Sequence, residues 1–310
     1  MNEPVIETRE LTKFYGDIPV VNMLNIQIPR GMIYGFLGRN GAGKTTTIRM
    51  LMGLVEPTRG EAKILGQDRG EWTPELRARV GYLAEGHHVY GWMTVRECGL
   101  FQAAFYQHWN ADIFHAVIKH FGLNEKAKAG GLSRGQRAGL CLALTLAPEP
   151  ELLVLDDPAL GLDPVARRSL LESMIYVTRK QDRSILFSSH LLSDVERVAD
   201  RIGVMDRGVL RADCTMEEFR RHIHHFVLEF AGVPPAPPQD FEGCLLASFR
   251  TEEEMSLTLV NPTERDRETM ARLKPRVCEE RDLDLEEAFI RYVGDRGEKS
   301  FLLHEMGEKK

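Results

Sequence analysis

The sequence predicts an α/β domain with a mixed sheet, an inserted helical subdomain and, after it, a small α+β domain. Met32–Leu37 (MIYGFL) is a short apolar run followed by a glycine-rich turn and, from about Lys44, a helical pattern. Continuous apolar runs, typical of parallel strands buried on both faces, recur at Arg79–Leu83, Leu152–Leu155 and Ser184–Ser188. Strands that alternate with helices in this way indicate a layered α/β domain.

A helical pattern without strands occupies Val95–Leu146, which predicts a helical subdomain at about residues 90–146. The strand pattern then returns, and the prolines of Val233–Asp240 (VPPAPPQD) favour an extended loop because proline lacks a backbone donor. We therefore divide the chain into a domain of residues 1–222 and a small C-terminal domain of residues 223–310.

The C-terminal domain shows the mixed pattern of an α+β fold. Its predicted elements are strands at Cys244–Arg250, Ser256–Val260 and Arg276–Glu279 and helices at Arg265–Leu273 and Leu285–Val293. The final residues, Gly297–Lys310, lack apolar periodicity and are predicted to form a loose tail.

Composition indicates an ordinary soluble globular protein, because 43% of the 310 residues are hydrophobic and 28% are charged. The 5 cysteines have no CxxC or Cys/His spacing, which favours reduced thiols over disulfides or a zinc site. His222–His225 (HIHH) lacks a surrounding ligand set and is expected to be a solvated strand entry. Without a stretch of the roughly 18 to 20 apolar residues that span a bilayer, or a signal peptide, a cytosolic protein is expected.

Charge is distributed unevenly along the chain. The net charge of −6 arises in residues 221–310, where 19 acidic residues outnumber 13 basic ones. The preceding residues are balanced and offer no broad basic surface. We therefore expect no nucleic-acid partner.

Gly38–Thr45 (GRNGAGKT) matches the GxxxxGK[ST] pattern of a phosphate-binding loop, or P-loop, and lies between a predicted strand and a predicted helix. Its glycines allow backbone N–H groups to surround phosphates. The Lys44 ammonium supplies a positive charge, and the Thr45 hydroxyl is able to ligate Mg²⁺. Arg39 either adds a second positive charge near the nucleotide or is simply solvated. The residues predicted to bind a nucleoside triphosphate are Gly38, Arg39, Asn40, Gly41, Ala42, Gly43, Lys44, Thr45 and Thr46.

Four further motifs resemble, in order and spacing, those of ATP-binding cassette (ABC) transporter ATPases, over roughly residues 4–220. Leu132–Gln136 (LSRGQ) matches the signature motif, and it precedes Asp156, in a run that resembles the family's Walker B strand, by 20 residues (136 to 156). Gly161–Asp163 (GLD) resembles the loop that crosses the dimer interface, and His190 resembles the switch histidine. The segment DLDLEEAFIRYVGD is similar to one in ATPase subunits of bacterial drug, polysaccharide and antibiotic-resistance exporters.

The resemblance implies that ATP binds between two cassettes arranged head to tail, with the P-loop of one facing Ser133, Gly135 and Gln136 of the other. Ser133 and the Gly135 N–H would donate to the γ-phosphate at a helix start, where the helix dipole favours anions. The motif could instead simply cap that helix. Asp163 would contribute to the nucleotide site. Tyr15 matches the aromatic residue that stacks on adenine, although by chemistry alone it could equally be a core tyrosine.

The same resemblance assigns the hydrolysis machinery. Asp156 would hold Mg²⁺ directly or through water, and Asp157 would orient or deprotonate the attacking water. His190 would hydrogen-bond the γ-phosphate and sense its loss. Glu85 takes the position that links Mg²⁺ and this water to the membrane subunit. The predicted catalytic residues are therefore Asp157, His190, Lys44 and Glu85, and the predicted Mg²⁺ ligands are Thr45, Asp156 and Glu85.

Three residues depart from the family pattern. Asp157 stands where Glu is usual, and because one methylene less withdraws the carboxylate by ~1.5 Å, we hypothesise slow turnover unless the loop has shifted to compensate. Glu85 stands where Gln is usual, and since an ionised carboxylate ligates Mg²⁺ but donates no hydrogen bond, binding should be preserved and coupling altered. Arg134 replaces the first glycine of the signature motif, a change that should be tolerated because the side chain can point to solvent.

The sequence therefore predicts the ATP-binding and ATP-hydrolysing subunit of an ABC transporter, an exporter by resemblance. We expect a homodimer rather than a heterodimer, which drives a separate membrane permease from the cytoplasmic face. Part of the surface of Leu100–Phe121 should dock the permease. The alternative is a degenerate or slow ATP-switch cassette that acts on a protein partner without transport.

Overall fold

The computed structural model describes residues 3–181 and 183–293, which belong to two compact units divided between Cys214 and Thr215. The domain boundary drawn from the sequence, after residue 222, lies eight residues further along the chain (222 against 214). Each unit has its own sheet and core, so the two are described in turn.

The first unit alternates strands and helices along the chain, as predicted. Its elements are β1 (Ile6–Tyr15), β2 (Ile18–Leu24), β3 (Gln27–Ile28), β4 (Ile33–Leu37), α1 (Lys44–Leu51), β5 (Arg59–Ile64), β6 (Gln67–Asp68), α2 (Pro74–Ala78), β7 (Val80–Leu83), α3 (Val95–Ala103), α4 (Ala111–His120), α5 (Arg134–Leu146), β8 (Leu152–Leu155), α6 (Pro164–Gln181), β9 (Ser184–Ser189), α7 (Leu192–Val198), β10 (Arg201–Asp206) and β11 (Val209–Thr215).

A six-stranded sheet of the first unit has the strand order β11-β10-β4-β9-β8-β7. Neighbouring strands from β10 to β7 run parallel, with Ile33 opposite Ile185 and Leu152 opposite Ser184. Every residue of β4, β8 and β9 is buried. The prediction that these apolar runs form strands covered on both faces is confirmed.

A second, antiparallel sheet has the order β2-β1-β5-β6, with β3 also paired to β1. One hydrophobic core joins the two sheets and includes Ile6 of β1, Phe36 of β4 and Leu186 of β9. Ile48 of α1 is fully buried in the same core. Helix α1, which follows β4, is therefore fixed against both sheets. The loop between β4 and α1 is consequently held at both of its ends.

Helices α3, α4 and α5 form the helical subdomain predicted at about residues 90–146. Its core contains Val95, Phe114, Ile118 and Leu140 and is separate from the core between the sheets. A short 3₁₀ turn, Ala129–Gly131, precedes α5. The prediction of an inserted helical segment is confirmed.

The second unit has the predicted α+β composition. It contains α8 (Met216–His222), β12 (Ile223–Glu229), β13 (Cys244–Arg250), β14 (Glu254–Val260), α9 (Glu264–Arg272), β15 (Val277–Arg281) and α10 (Leu285–Val293). The strands pair antiparallel in the order β13-β14-β12-β15, and Phe226, Leu257 and Met270 form part of the core. The tail predicted at Gly297–Lys310 lies outside the described residues.

The expectation that His222–His225 forms a solvated strand entry is wrong for His225. This side chain is 7% exposed, and its Nδ1 accepts a hydrogen bond from Arg291 Nη1 at 3.0 Å. Burial, followed by the positive charge of Arg291, lowers the pKa of His225 to about 4. The expectation failed because Arg291 of α10 and Thr258 of β14 contact the imidazole on its own face of the sheet.

No helix in residues 3–181 and 183–293 has both the length and the apolar character that a lipid bilayer requires of a spanning segment.

The packing of α5 against the end of α4 generates a stability prediction. A Cβ added at Gly139 would lie 2.3 Å from Phe121 Cγ, so Gly139→Ala forces a side chain of the subdomain to move. We expect the free energy of unfolding of the first unit to fall by about 1–3 kcal/mol. Urea unfolding followed by tryptophan fluorescence measures this, because Trp72, Trp92 and Trp109 all lie in the first unit.

Gly131→Ala is the matched control, because a Cβ at Gly131 meets nothing within 4 Å. Its free energy of unfolding should stay within about 0.5 kcal/mol of wild type. Equal unfolding midpoints for Gly139→Ala and wild type would contradict the close packing of α5 on Phe121.

A buried carboxylate in the second unit generates a pH prediction. Asp266 is fully buried, and its two oxygens accept backbone N–H groups of Glu242 at 2.6 Å, Gly243 at 2.9 Å and Thr263 at 2.8 Å. Burial by itself raises the pKa of Asp266, but these hydrogen bonds outweigh it and hold the pKa below its ordinary value. Because the folded-state pKa is the lower one, the stabilisation is present above the unfolded pKa, about 4, and is lost as pH falls below it.

At neutral pH, Asp266→Ala should destabilise the second unit by about 2 kcal/mol, since it leaves buried N–H groups without an acceptor. Hydrogen exchange of the β12 and β14 amides measures the loss, because no tryptophan lies in residues 215–310. The difference from wild type should shrink as the pH falls through about 4. Glu268→Ala, on the exposed face of α9, is the control, and a pH-independent difference would refute the assignment.

Candidate functional site

The strand order of the parallel sheet brings three chain segments to one edge. Strands β4, β9 and β8 are neighbours and parallel, so the residues that follow their carboxyl ends meet there. Gly38–Thr45 follows β4, His190 follows β9, and Asp156 follows β8. The structure therefore gathers the P-loop and the predicted hydrolysis residues at this edge.

The P-loop has the backbone conformation that its glycines allow. Gly41 and Gly43 have φ values of 80° and 107°, and a Cβ at Gly43 would lie 2.5 Å from the Val20 carbonyl oxygen. Helix α1 begins at Lys44 without a side-chain cap on its first N–H groups. These N–H groups and the helix dipole are suited to bind an anion.

The other loop residues that the sequence analysis selected surround this turn. Arg39, Asn40 and Gly41 are exposed, Thr45 and Thr46 are half-buried, and Gly38, Ala42 and Gly43 are buried.

Lys44 is 8% exposed, and its Nζ donates to the carbonyl oxygens of Gly38 at 2.7 Å and Arg39 at 3.2 Å. Burial lowers the pKa of Lys44, and the negative charges of Asp157, Asp156 and Glu85 oppose that change, in this order of size. The ammonium is therefore held at the loop within the field of the three carboxylates. Glu85 itself is exposed.

Thr45 and Asp156 fit a magnesium ion. Thr45 Oγ1 donates to Asp156 Oδ1 at 3.0 Å, while Asp156 Oδ2 is buried and has no hydrogen-bond partner. Burial raises the pKa of Asp156 above its ordinary value, and hydrogen bonds from Ser188 and Thr45 only partly oppose this. Among the described residues no group of three or more His, Cys, Asp or Glu side chains could hold a metal ion. A site with few protein oxygens suits Mg²⁺, which keeps water and phosphate ligands.

Asp157 and His190 form a hydrogen-bonded pair. His190 Nδ1 donates to Asp157 Oδ2 at 2.7 Å, so the shorter carboxylate reaches the histidine. Asp157 has a φ of 44°, in the left-handed region, and its N–H donates to Ser188 Oγ at 2.9 Å. Ser188 Oγ in turn donates to Asp156 Oδ1 at 2.8 Å. Ser188 was not among the site residues predicted from sequence, although a serine two residues before His190 in an apolar strand could have indicated it.

The signature motif begins helix α5. Ser133 Oγ accepts the Gln136 N–H at 3.2 Å, and Gln136 Oε1 accepts the Ser133 N–H at 3.1 Å. A Cβ at Gly135 would lie 2.8 Å from Ala166 Cβ, so glycine allows α5 to approach the start of α6. Ser133 remains exposed at the helix start. The motif thus caps its helix through Ser133 and Gln136, and the capping box does not use the N–H groups of Arg134 and Gly135.

The loop before α6 lies beside the signature motif of the same chain. Asp163 is exposed, and its Oδ1 accepts the N–H groups of Val165 at 2.9 Å and Ala166 at 3.0 Å, which starts α6. The Arg134 guanidinium lies over this loop, 3.1 Å from a Cβ placed on Gly161. The Arg134 side chain therefore lies beside this loop and is exposed to solvent, which is compatible with the expectation from sequence.

Tyr15 ends β1 and is 51% exposed. Lys13 Nζ lies 5.2 Å from the centre of its ring, a cation–π distance. This exposure does not fit a core tyrosine and leaves a ring face open to a flat ligand.

His87 is a further residue that the sequence analysis did not select. It is 6% exposed, has a φ of 50°, and its Nε2 lies 2.9 Å from the Pro158 carbonyl oxygen. Burial lowers the pKa of His87, and the hydrogen bond to Pro158 opposes this. No spacing in the sequence indicated the contact, because its partners are 71 residues apart.

Comparisons with known proteins agree with this geometry. A family model described as "ABC transporter" matches residues 21–160. The chain is 36% identical over 228 residues to the "Bacitracin transport ATP-binding protein BcrA" of Bacillus licheniformis, covering 73% of this chain and 74% of that protein. It is 34% identical over 300 residues to the "Nod factor export ATP-binding protein I" of Burkholderia lata, covering 93% and 97%. A solved structure, "Structure of ATP binding subunit of ABC transporter", has a TM-score of 0.64 and 29% identity and covers 70% of this chain and 92% of that one.

The predicted resemblance is therefore confirmed, and so is the predicted fold class. Subunits of this family bind ATP and couple its hydrolysis to transport. The alignment with the Burkholderia lata protein reaches beyond the ATP-binding unit, since it covers 93% of this chain. The chain belongs to the ABC transporter family as one of its ATP-binding, ATP-hydrolysing subunits.

Proposed function

We propose that this chain powers an exporter as a homodimer bound to a separate permease at the cytoplasmic face of the membrane. The observation that carries the proposal is the alignment over 93% of the chain with a protein named for Nod factor export. The relative named for bacitracin transport supports a role in transport. These names favour transport over the alternative of an ATP switch that acts on a protein partner.

The P-loop would hold the β- and γ-phosphates of ATP. Its uncapped helix start donates backbone N–H groups, and Lys44, which is confined to the loop by the Gly38 and Arg39 carbonyls, adds a positive charge. Thr45 and Asp156 would hold Mg²⁺, which supplies charge neutralisation at the phosphates when bound. Tyr15 would stack on the adenine ring.

Asp157 and His190 would act together on the attacking water and the γ-phosphate. The hydrogen bond between Asp157 Oδ2 and His190 Nδ1 fixes the imidazole, so its Nε2 is left for the γ-phosphate. The second oxygen of the carboxylate would accept a proton of the attacking water and orient it. Glu85, whose charge acts on the same Lys44 ammonium, would complete the acidic side of the site.

Two copies of the chain would form the complete site. Each carries a P-loop and an exposed Ser133 at the start of α5, and a two-fold symmetric pair arranged head to tail places one opposite the other at both sites. Ser133, Gly135 and Gln136 would then contact the γ-phosphate bound by the partner. Asp163 would lie at the same interface, since it starts α6 beside Gly135.

The permease would dock on an aromatic patch of the helical subdomain. The patch comprises exposed large side chains on α3 and on the loops before and after it: Tyr90, Trp92, Leu100, Phe101 and Phe105, which are 56%, 68%, 63%, 40% and 69% exposed. The rings of Tyr90 and Phe101 are 5.5 Å apart, and a cavity of about 330 Å³ opens between this loop and α3. Such a large exposed apolar surface favours a protein partner, and an amphipathic helix of the permease fits it.

ATP hydrolysis by purified variants tests the assigned site. Lys44→Ala and Asp157→Asn should each lower kcat by at least about 10²-fold. The first removes the positive charge that binds the phosphates, and the second removes the carboxylate that orients the attacking water. Asp157→Glu restores the reach of the usual Glu and should raise kcat, by up to about 10²-fold. Steady-state Mg-ATP hydrolysis, with wild type in parallel, measures all three.

If the Asp157→Asn variant hydrolyses ATP at the wild-type rate, the catalytic role assigned to Asp157 is wrong. If Asp157→Glu leaves kcat unchanged, the left-handed backbone at Asp157 already compensates for the shorter side chain, and the hypothesis of slow turnover is wrong. Glu172→Gln, an exposed change on α6, is the control for loss of one carboxylate elsewhere in the unit.

Mixing two inactive variants tests the homodimer. In a head-to-tail pair of one Lys44→Ala chain and one Ser133→Arg chain, one site contains both substitutions and the other contains neither. Equal mixing makes half of the dimers mixed, so about one quarter of wild-type hydrolysis should return if the sites act independently. The rate of Mg-ATP hydrolysis before and after mixing measures it.

Each variant mixed with itself provides the control, and it should stay inactive. Failure of the mixture to gain activity, while wild type alone is active, would contradict a homodimer with shared sites. A gain that needs a different cassette would instead indicate a heterodimer.

A further inference from the structure

The loop between β7 and α3 is attached at several points to the catalytic edge of the sheet. Its first end is held where the Asp156 N–H donates to the Leu83 carbonyl at 2.8 Å. Its far end is held where the Gly91 carbonyl accepts the Gly130 N–H at 3.0 Å, in the turn before the signature helix. The loop therefore bridges the Walker B strand and the turn that leads to the signature motif.

His87 attaches the middle of this loop to the residue after Asp157. Its Nε2 lies 2.9 Å from the Pro158 carbonyl oxygen, and the ring is 6% exposed. A carbonyl oxygen only accepts hydrogen bonds, so Nε2 carries the hydrogen in either protonation state of the ring. The contact holds the Pro158 carbonyl in place from the loop side.

The Asp157–Pro158 segment is a strained turn that needs such anchors. Asp157 has a φ of 44°, which is uncommon for a residue other than glycine. Its N–H donates to Ser188 Oγ at 2.9 Å, and its own carbonyl accepts the Leu160 N–H at 3.1 Å. The carbonyl of the following residue, Pro158, is bound by His87. One hydrogen bond from β9 thus fixes the peptide group before Asp157, and one from the loop after β7 fixes the peptide group that follows Pro158.

We propose that His87 is a positioning residue for ATP hydrolysis, which holds the Asp157 carboxylate in place through the Pro158 carbonyl. The proposal rests on the catalytic role of Asp157 proposed above. His87 touches neither phosphate nor water in this scheme, so its effect is on kcat and not on ATP affinity. A displacement of about 1 Å at a reacting group can lower a rate about 10²-fold.

Three substitutions at His87 separate its hydrogen bond from its packing. His87→Leu fills a similar space but has no N–H. His87→Asn tolerates positive φ best, but its amide nitrogen falls short of the Nε2 position. His87→Gln places an amide N–H near that position. In Mg-ATP hydrolysis by the full chain, His87→Leu and His87→Asn should lower kcat between about 10-fold and 100-fold, with KM for ATP within about twofold of wild type. His87→Gln should keep kcat within about threefold of wild type.

Two controls accompany the series. His115→Leu makes the same chemical change on the exposed face of α4 and should leave kcat and KM unchanged. Thermal unfolding of each variant shows whether it is folded, and His87→Asn keeps the test valid if His87→Leu does not fold.

The outcomes separate this inference from the proposed function. Three results would each overturn the role of His87. They are a wild-type kcat in His87→Asn, an equal loss of kcat in His87→Asn and His87→Gln, and a loss of ATP affinity that parallels the loss of kcat. If Asp157→Asn is inactive in the same assay while the His87 series matches wild type, only the His87 inference is lost. If Asp157→Asn itself turns over normally, the catalytic assignment of Asp157 is lost and the His87 role with it.

Discussion

Asp156 ends β8 with a carboxylate that is 1% exposed and accepts hydrogen bonds from Thr45 Oγ1 and Ser188 Oγ. Burying a charge costs free energy unless the charge is paired or hydrogen-bonded. The two hydroxyls therefore stabilise the buried Asp156 carboxylate at this position. Thr45 belongs to the start of α1 and Ser188 to β9. The one carboxylate therefore fixes three segments of the sheet edge relative to each other, and its unpartnered second oxygen leaves a place for a cation.

The position of Asp157 follows from that arrangement. Ser188 binds Asp156 and the Asp157 N–H with one hydroxyl, which turns the chain into the left-handed region and directs the Asp157 carboxylate towards His190. The side chain is one methylene shorter than the usual Glu, yet it reaches the histidine at 2.7 Å. The backbone conformation thus places the short Asp157 side chain within hydrogen-bond distance of His190.

Elements that are marked by a pattern within a short stretch of sequence were predictable from sequence. Strands β4 and β8 are runs of apolar residues buried on both faces, and the P-loop is a fixed spacing of glycine and lysine, so each can be identified without its neighbours. The burial of His225 and the position of Arg134 beside Gly161 were not predictable from sequence. Both depend on which distant side chains and loops the fold brings next to these residues.

The amino-acid sequence by itself determined the order of elements, the P-loop and the family, since all three reside in local spacing. Only the tertiary structure decided how the motifs meet. The hydrogen bond from His87 to Pro158 spans 71 residues, and the pairing of β4 with β9 joins segments more than 140 residues apart (33 to 185). Contacts of this kind arise when strands take their places in a sheet, and no local pattern in the chain encodes which side chains will then be neighbours.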